Sequence, residues 1–217
     1  MNNIKPLYLM NEKGLSDLEL KAVQDGIIEL MDCANIKLDI KNFGVWRANI
    51  SKPWWSIDWY LEQGKRTSTQ NNQINAGYML DLIIQEPWRK NEDHYDVMVL
   101  HSDIYSRDTR FVIGLASEGI GTIISVKRFK HSELGNEMKY ECIKTETMHE
   151  LGHVFGLVPN KRKINVEESL GKHCTNRCVM RQGLTVPRDW INITKDRLKY
   201  KPLCEICETD LKAYFRK

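Results

Sequence analysis

The stretch His149-Glu150-Leu151-Gly152-His153, continued as Val154-Phe155-Gly156-Leu157, decides how this chain is read. On a helix, residues four apart share a face, so the imidazoles of His149 and His153 point at one spot. Neutral imidazole is a good zinc ligand, and two on one rigid turn are already oriented. Glu150 is offset around the same helix, where a general base reaches a metal-bound water without itself binding the metal. The bland counterpart is a surface helix that happens to carry two histidines. Gly156 argues against it, because a glycine tolerating the left-handed conformation lets the helix stop and the chain turn back toward a further ligand.

Position 159 is Pro159, which cannot ligate, and the next histidine downstream is His173. His94, His101 and His131 all lie upstream of the motif. His173 is therefore the leading third ligand, with Glu167 or Glu168 as rivals, since a carboxylate can replace the third imidazole at such sites. The segment 157–172 becomes a polar excursion that leaves the site and returns to it. Its basic run, Lys161 to Lys163, reads as a solvated loop rather than a binding patch.

Around His173 lies a second constellation. Cys174 and Cys178, then Cys204 and Cys207, form two close pairs with the layout of a four-thiolate structural zinc site. Disulfides would need an oxidising compartment, and a redox pair would need a thioredoxin-like unit around Cys204. Adjacent side chains on an extended segment point opposite ways, so His173 can face one ion while Cys174 faces another. Cys33 and Cys142 are expected as single buried thiols beside apolar neighbours.

The combination of HELGHVFGL, the His173-Cys174 pair, Cys178-Val179-Met180 and the later CEIC resembles the archaemetzincins of the metzincin clan. The resemblance covers residues 95–207 best, and upstream only the order of elements agrees. It implies an α/β fold with a metzincin-like mixed twisted sheet, an active-site helix and a small zinc-stabilised C-terminal subdomain. It implies a catalytic zinc on His149, His153 and His173, Glu150 as general base, and Met180 as the methionine beneath the metal. Cys174, Cys178, Cys204 and Cys207 would hold a second, structural zinc. The stretch FVIGLASEGIGTIISVKRF would supply two strands, with the one over 120–126 bordering the cleft and pairing with an extended peptide. This chain departs from the family in its 157–172 excursion, in the three-residue gap between Cys174 and Cys178, and in a long step from Met180 to Cys204.

The expected activity is zinc-dependent hydrolysis of peptide or protein substrates, aminopeptidase-like or narrowly endopeptidic. The alternative is a zinc-stabilised binding or regulatory protein with an inert protease-like site. A division into 1–156, ending with the active-site helix, and 157–217 follows from this layout. The 217 residues carry a net charge of only +3, too mild to point to nucleic acid. No apolar run of membrane-spanning length and no secretory leader is visible, so a cytoplasmic, reducing location is expected.

Periodicity predicts a strand over 4–10, then a helix over 16–34 opened by a Ser16/Glu19 capping box. Strands follow over 36–43, 96–101, 111–116 and 121–127. Helices are predicted over 71–85, 137–155, near 194–200, and over 205–215. The tryptophan-rich run Pro53 to Tyr60 reads as a loop whose indoles plug the core edge, or else line a groove.

Overall fold

Alternating strands and helices run through the computed structural model, which describes residues 4–46, 54–107, 109–130 and 134–216. The first elements are β1 (Leu7–Asn11), α1 (Asp17–Asp32), β2 (Ile40–Gly44), α2 (Ile57–Arg66), β3 (Ile74–Asn75) and α3 (Ala76–Ile84). Next come β4 (Tyr95–Leu100), β5 (Ile104–Tyr105), β6 (Gly114–Ser117), β7 (Gly121–Ser125) and α4 (Lys127–Lys130). The remainder is α5 (Asn136–Val154), β8 (Val166–Glu168), β9 (Lys172–Cys174), α6 (Arg188–Lys199) and α7 (Glu205–Phe215). Two units divide the chain, one of residues 1–16 and 38–127, the other of residues 17–37 and 128–217. The sequence-based boundary after residue 156 lies inside the second of them.

The first unit holds a five-stranded sheet in the order β2-β1-β4-β7-β6. Its first four strands pair in parallel, and β6 runs antiparallel to β7. Every residue of β4 and β7 is buried, as expected of sheet strands covered on both faces. This corrects one expectation. The strand over 121–125 is hydrogen-bonded on both sides, to β4 and β6, so it has no free edge for a peptide. The sheet ends instead at β6.

The tryptophan-rich run is corrected in its second half only: residues 54–56 form a turn, the helix begins at Ile57, and Pro53 lies outside the described residues. Ser56 caps α2 by accepting a hydrogen bond from the Trp59 N–H at 3.2 Å. Ile57, Tyr60, Leu61 and Gly64 then bury one face against Met79, Ile83 and Met98. Trp55 and Trp59 pack against this cluster from its margin. The helical period was hidden in the sequence because aromatic residues occupy both the buried and the half-exposed faces. α3 starts at Ala76, later than predicted, because residues 74–75 pair with β5 and the Asn75 side chain accepts from Tyr78 N–H.

Next to this core lies a buried charge group. Arg89 donates to Asp96, to the His94 carbonyl at 2.8 Å and to the Ile83 carbonyl at 2.9 Å. His94 Nε2 lies 3.4 Å from Asp96 and 3.5 Å from Glu86, and Tyr60 donates to Glu86. Two cationic and two anionic side chains thus balance out of water, which is how a protein interior tolerates charge.

In the second unit α5 is buried on nearly every side, with α1 and α6 packed against it. Glu19, expected in a capping box, is buried and ion-pairs with Lys130 at 3.2 Å and Lys139 at 2.8 Å. Arg197 of α6 reaches Thr145 at 3.0 Å, Glu29 at 2.7 Å and Glu141, fastening α1, α5 and α6 together. The excursion over 157–172 folds back through an antiparallel hairpin of β8 and β9 that pairs Glu167 with His173. Helix α6 begins at Arg188, well before the predicted 194, whereas α7 has the predicted bounds. Among the described residues, no helix is long and apolar enough to cross a membrane.

Candidate metal centres

Helix α5 presents His149 and His153 one turn apart, with Nε2 atoms 3.2 Å from each other. It ends where the sequence requires. Gly156 adopts φ +63°, its N–H bonds to the His153 carbonyl, and the Leu157 N–H bonds to the Gly152 carbonyl. These are the two hydrogen bonds of a Schellman turn. The returning β9 strand brings in His173, whose ring centre lies 5.2 Å from that of His149 and 5.0 Å from that of His153. One nitrogen of each ring falls within 4.8 Å of the other two. Neither Glu167 nor Glu168 belongs to this converging set; Glu167 is the cross-strand partner of His173, and Glu168 faces solvent.

Hydrogen bonds orient the rings. His149 Nδ1 lies 2.7 Å from the Val179 carbonyl and His173 Nδ1 lies 3.3 Å from the Gly171 carbonyl. A carbonyl only accepts, so the proton sits on Nδ1 and the Nε2 lone pair faces inward in both rings. Their surroundings favour the neutral form of all three rings. Burial, reinforced by the charges of the other two rings, lowers His149 well below the usual range. Burial likewise takes His153 down to about 3 and lowers His173. The Nε2 atoms of His149 and His153, 3.2 Å apart, can share a proton or a cation. A tetrahedron with nitrogen ligands at about 2.0–2.1 Å has edges near 3.4 Å, so this donor set fits zinc.

Glu150 is buried one residue after His149, about 100° around the helix axis. Burial pushes its carboxyl up to about 8. One turn earlier Glu146 is fully buried, and burial together with the Glu150 charge raises it further. Two carboxyl groups this close in dry surroundings do not both ionise readily. Met180 is fully buried against Gly152: a Cβ at position 152 would overlap the Met180 sulfur, so the motif's own glycine makes room for it. Trp190 of α6 lies with its ring centre 5.3 Å from that of His149. Glu146 could have been found in the sequence from its four-residue spacing to Glu150. Trp190 carried no such signal.

The four expected cysteines also meet. Cys174, Cys178, Cys204 and Cys207 place their sulfurs within 4.8 Å of one another, and none is in a disulfide. Cys174 and Cys204 sulfurs are 3.7 Å apart, far beyond the roughly 2.0 Å of a disulfide. Zinc–sulfur bonds of about 2.3 Å give a tetrahedral edge near 3.8 Å, so this set fits zinc too. Hydrogen bonding within the cluster, with Cys178 the chief contributor, lowers the Cys174 thiol to about 6. Arg162, expected in a solvated basic run, is instead buried against these sulfurs. Of the remaining cysteines, Cys142 is buried as expected, whereas Cys33 is half-buried and donates to the Glu29 carbonyl.

The fold is thus metzincin-like: a mixed α/β architecture with the His-Glu-x-x-His helix and a C-terminal cysteine cluster. No family model matches the chain. The archaemetzincin of Nanoarchaeum equitans is 34% identical over 109 residues, covering 50% of this chain and 49% of that protein. The matched stretch therefore spans about half the length of such relatives. The crystal structure of the archaemetzincin from Methanopyrus kandleri superposes with a TM-score of 0.65 at 21% identity, over 98% of this chain and 96% of that one. That from Archaeoglobus fulgidus gives 0.60 at 21% identity, over 94% and 99%. The chain is archaemetzincin-like in sequence and in fold.

Proposed function

We propose that this chain is a zinc-dependent metallopeptidase acting on peptide or protein substrates. The observation carrying this reading is the convergence of three inward-facing imidazoles beside a buried carboxylate that is not one of them. In this reading His149, His153 and His173 hold one zinc, and Cys174, Cys178, Cys204 and Cys207 hold a second, structural one. When bound, the first zinc supplies a Lewis acid for the scissile carbonyl and water of near-neutral acidity. Glu150 takes the proton of the attacking water and delivers it to the leaving amine. Met180 and Trp190 give the site an apolar wall that keeps bulk water away and holds the His149 ring in place. The Val179 carbonyl fixes the His149 tautomer so that Nε2 remains the ligating atom.

A zinc-stabilised binding protein with an inert site would gain nothing from burying Glu146 and Glu150 together, since carboxyls taken out of water without a cationic partner are destabilising. The family likeness adds weight to the peptidase reading. Cytoplasmic residence belongs to the same proposal, because the four-thiolate centre suits a reducing compartment.

The test combines metal content with turnover. The wild-type chain is expected to carry two zincs and to cleave members of a peptide library. Glu150→Gln is expected to keep both zincs and lose cleavage by about 10²-fold or more, the usual weight of a general base. Cleavage by Glu150→Gln at the wild-type rate would sink the mechanism. Comparing blocked with free N-termini in the same library separates aminopeptidase from endopeptidase action.

A further inference from the structure

Arg162 stands out because its sequence context says surface. Lys161 and Lys163 on either side face solvent, yet the Arg162 side chain is only 4% exposed. All five guanidinium N–H groups have acceptors. Nε donates to the Ile164 carbonyl at 3.1 Å, and Nη1 to Cys207 Sγ at 3.1 Å and Asp210 Oδ2 at 3.2 Å. Nη2 donates to Cys174 Sγ at 3.0 Å and to the Asn165 carbonyl at 3.2 Å. Asp210 supplies one counter-charge at 3.2 Å, but the two sulfurs take two more of the N–H groups, and a neutral thiol is only a weak acceptor. Thiolates around a metal are strong ones. Four thiolates on one divalent ion leave two negative charges over, and Arg162 is the buried cation set against them. Asn176 adds an N–H to Cys204 Sγ at 3.4 Å. Cys204 and Cys207 also open α7, where the helix terminus favours negative sulfur.

The rigid fork spans sulfurs from two distant pieces of chain, Cys174 on β9 and Cys207 on α7, while the arginine's own backbone belongs to the 157–172 excursion. The two metal centres meet in the same strip. His173 immediately precedes Cys174, whose N–H bonds to the Met180 carbonyl at 2.8 Å. Val179, between Cys178 and Met180, accepts the hydrogen bond that orients His149. Thr175 N–H bonds back to the Asn165 carbonyl at 3.1 Å, closing the excursion on this strip.

We propose that Arg162 is a positioning residue of the four-cysteine centre, bridging Cys174 and Cys207 and offsetting the thiolate charge. Its clamp also makes metal retention at the three-histidine centre depend on an intact four-cysteine centre. This rests on the two-zinc reading above.

The experiment follows zinc release to a chromogenic chelator from wild type, Arg162→Met, Arg162→Lys and the surface control Lys163→Met. Cobalt(II) substitution separates the centres, because only the cysteine set gives sulfur-to-cobalt absorption. Arg162→Met is expected to release the thiolate-bound metal about 10–100-fold faster, the usual effect of losing an outer partner. The histidine-bound metal should follow at the same rate. Arg162→Lys, keeping charge without the fork, should fall between, and Lys163→Met should match wild type. Release from Arg162→Met at the wild-type rate would overturn the proposal. Fast loss of the thiolate metal with the histidine metal retained would overturn the coupling. If Arg162→Met does not fold by circular dichroism, Arg162→Lys decides: release faster than wild type supports the proposal, and release at the wild-type rate overturns it. A wild-type chain without cobalt–thiolate absorption would overturn the two-zinc reading itself, a result separable from all of the variants.

Discussion

The two units each bury a histidine group, and the two groups are opposites. In the first, His94 is fully buried, stacked on Tyr8 at 4.1 Å, with Nδ1 2.7 Å from the Glu92 carbonyl. Burial alone would lower it, but hydrogen bonding to Asp96 and Glu86 lifts it to about 9. In the second, His149, His153 and His173 have one another as neighbours and are driven down. Equal burial therefore says nothing about what a histidine does. Carboxylates around His94 favour its charged form, and Glu86 and Asp96 offset the charges of both His94 and Arg89. Imidazoles around imidazoles present converging ring nitrogens, a donor set that suits a metal ion.

The sharpest break in the comparison is to remove one ring from each group. His153→Leu should weaken metal binding at the histidine centre by more than the roughly 10–100-fold that loss of an outer partner costs, measured by zinc competition. His94→Leu should leave zinc content unchanged but cost about 3–5 kcal/mol in denaturant unfolding, because Glu86 and Asp96 lose a buried partner. A His94 variant that loses zinc, or a His153 variant that keeps it, would erase the contrast.

The pH response sharpens it further. His94 has a folded value of about 9 against 6.5 unfolded, so its stabilisation is complete below about pH 6.5 and disappears as pH rises through 9. Unfolding experiments from pH 6 to 10 should show a loss of roughly 3 kcal/mol that His94→Leu abolishes. An equal loss in that variant would reassign the titration elsewhere. The smallest effect is steric. Gly152→Ala should crowd Met180 and cost about 1–3 kcal/mol, as overpacking does, read as a lower melting temperature with the histidine metal more easily removed.

The histidine centre was legible because its chemistry is local: His149, Glu150 and His153 share one helical turn, and Gly156 marks the turn's end. His173 and the four cysteines were legible by elimination and by spacing. Arg162 was misread as solvated because its acceptors, Cys174, Cys207 and Asp210, come from elements that only the fold brings together. The same holds for the Glu86–Arg89–His94–Asp96 group, whose members look like ordinary surface charges in sequence. The start of the helix at Ile57–Arg66 was lost to its aromatic content, although Trp55 and Trp59 do pack at the core edge as the plug reading expected. The place of β7 inside the sheet, and not at its edge, is a matter of strand order, which periodicity does not encode.

The second unit is discontinuous in the chain, and this bears on how it folds. Helix α1 is separated from α5 by four of the five strands of the main sheet, yet Asp25 accepts from Tyr140 across 115 positions and Glu29 from Arg197 across 168. Closing so long a loop adds little to the thermodynamic cost, about 0.6 kcal/mol for each doubling in length, but contacts of such high order slow the search. A fragment starting at residue 128 would carry every proposed metal ligand and still lack the helix that covers α5. The half of this protein that carries the proposed metal ligands is therefore not one continuous stretch, because the helix bearing the His-Glu-x-x-His motif is completed by one of the chain's earliest elements.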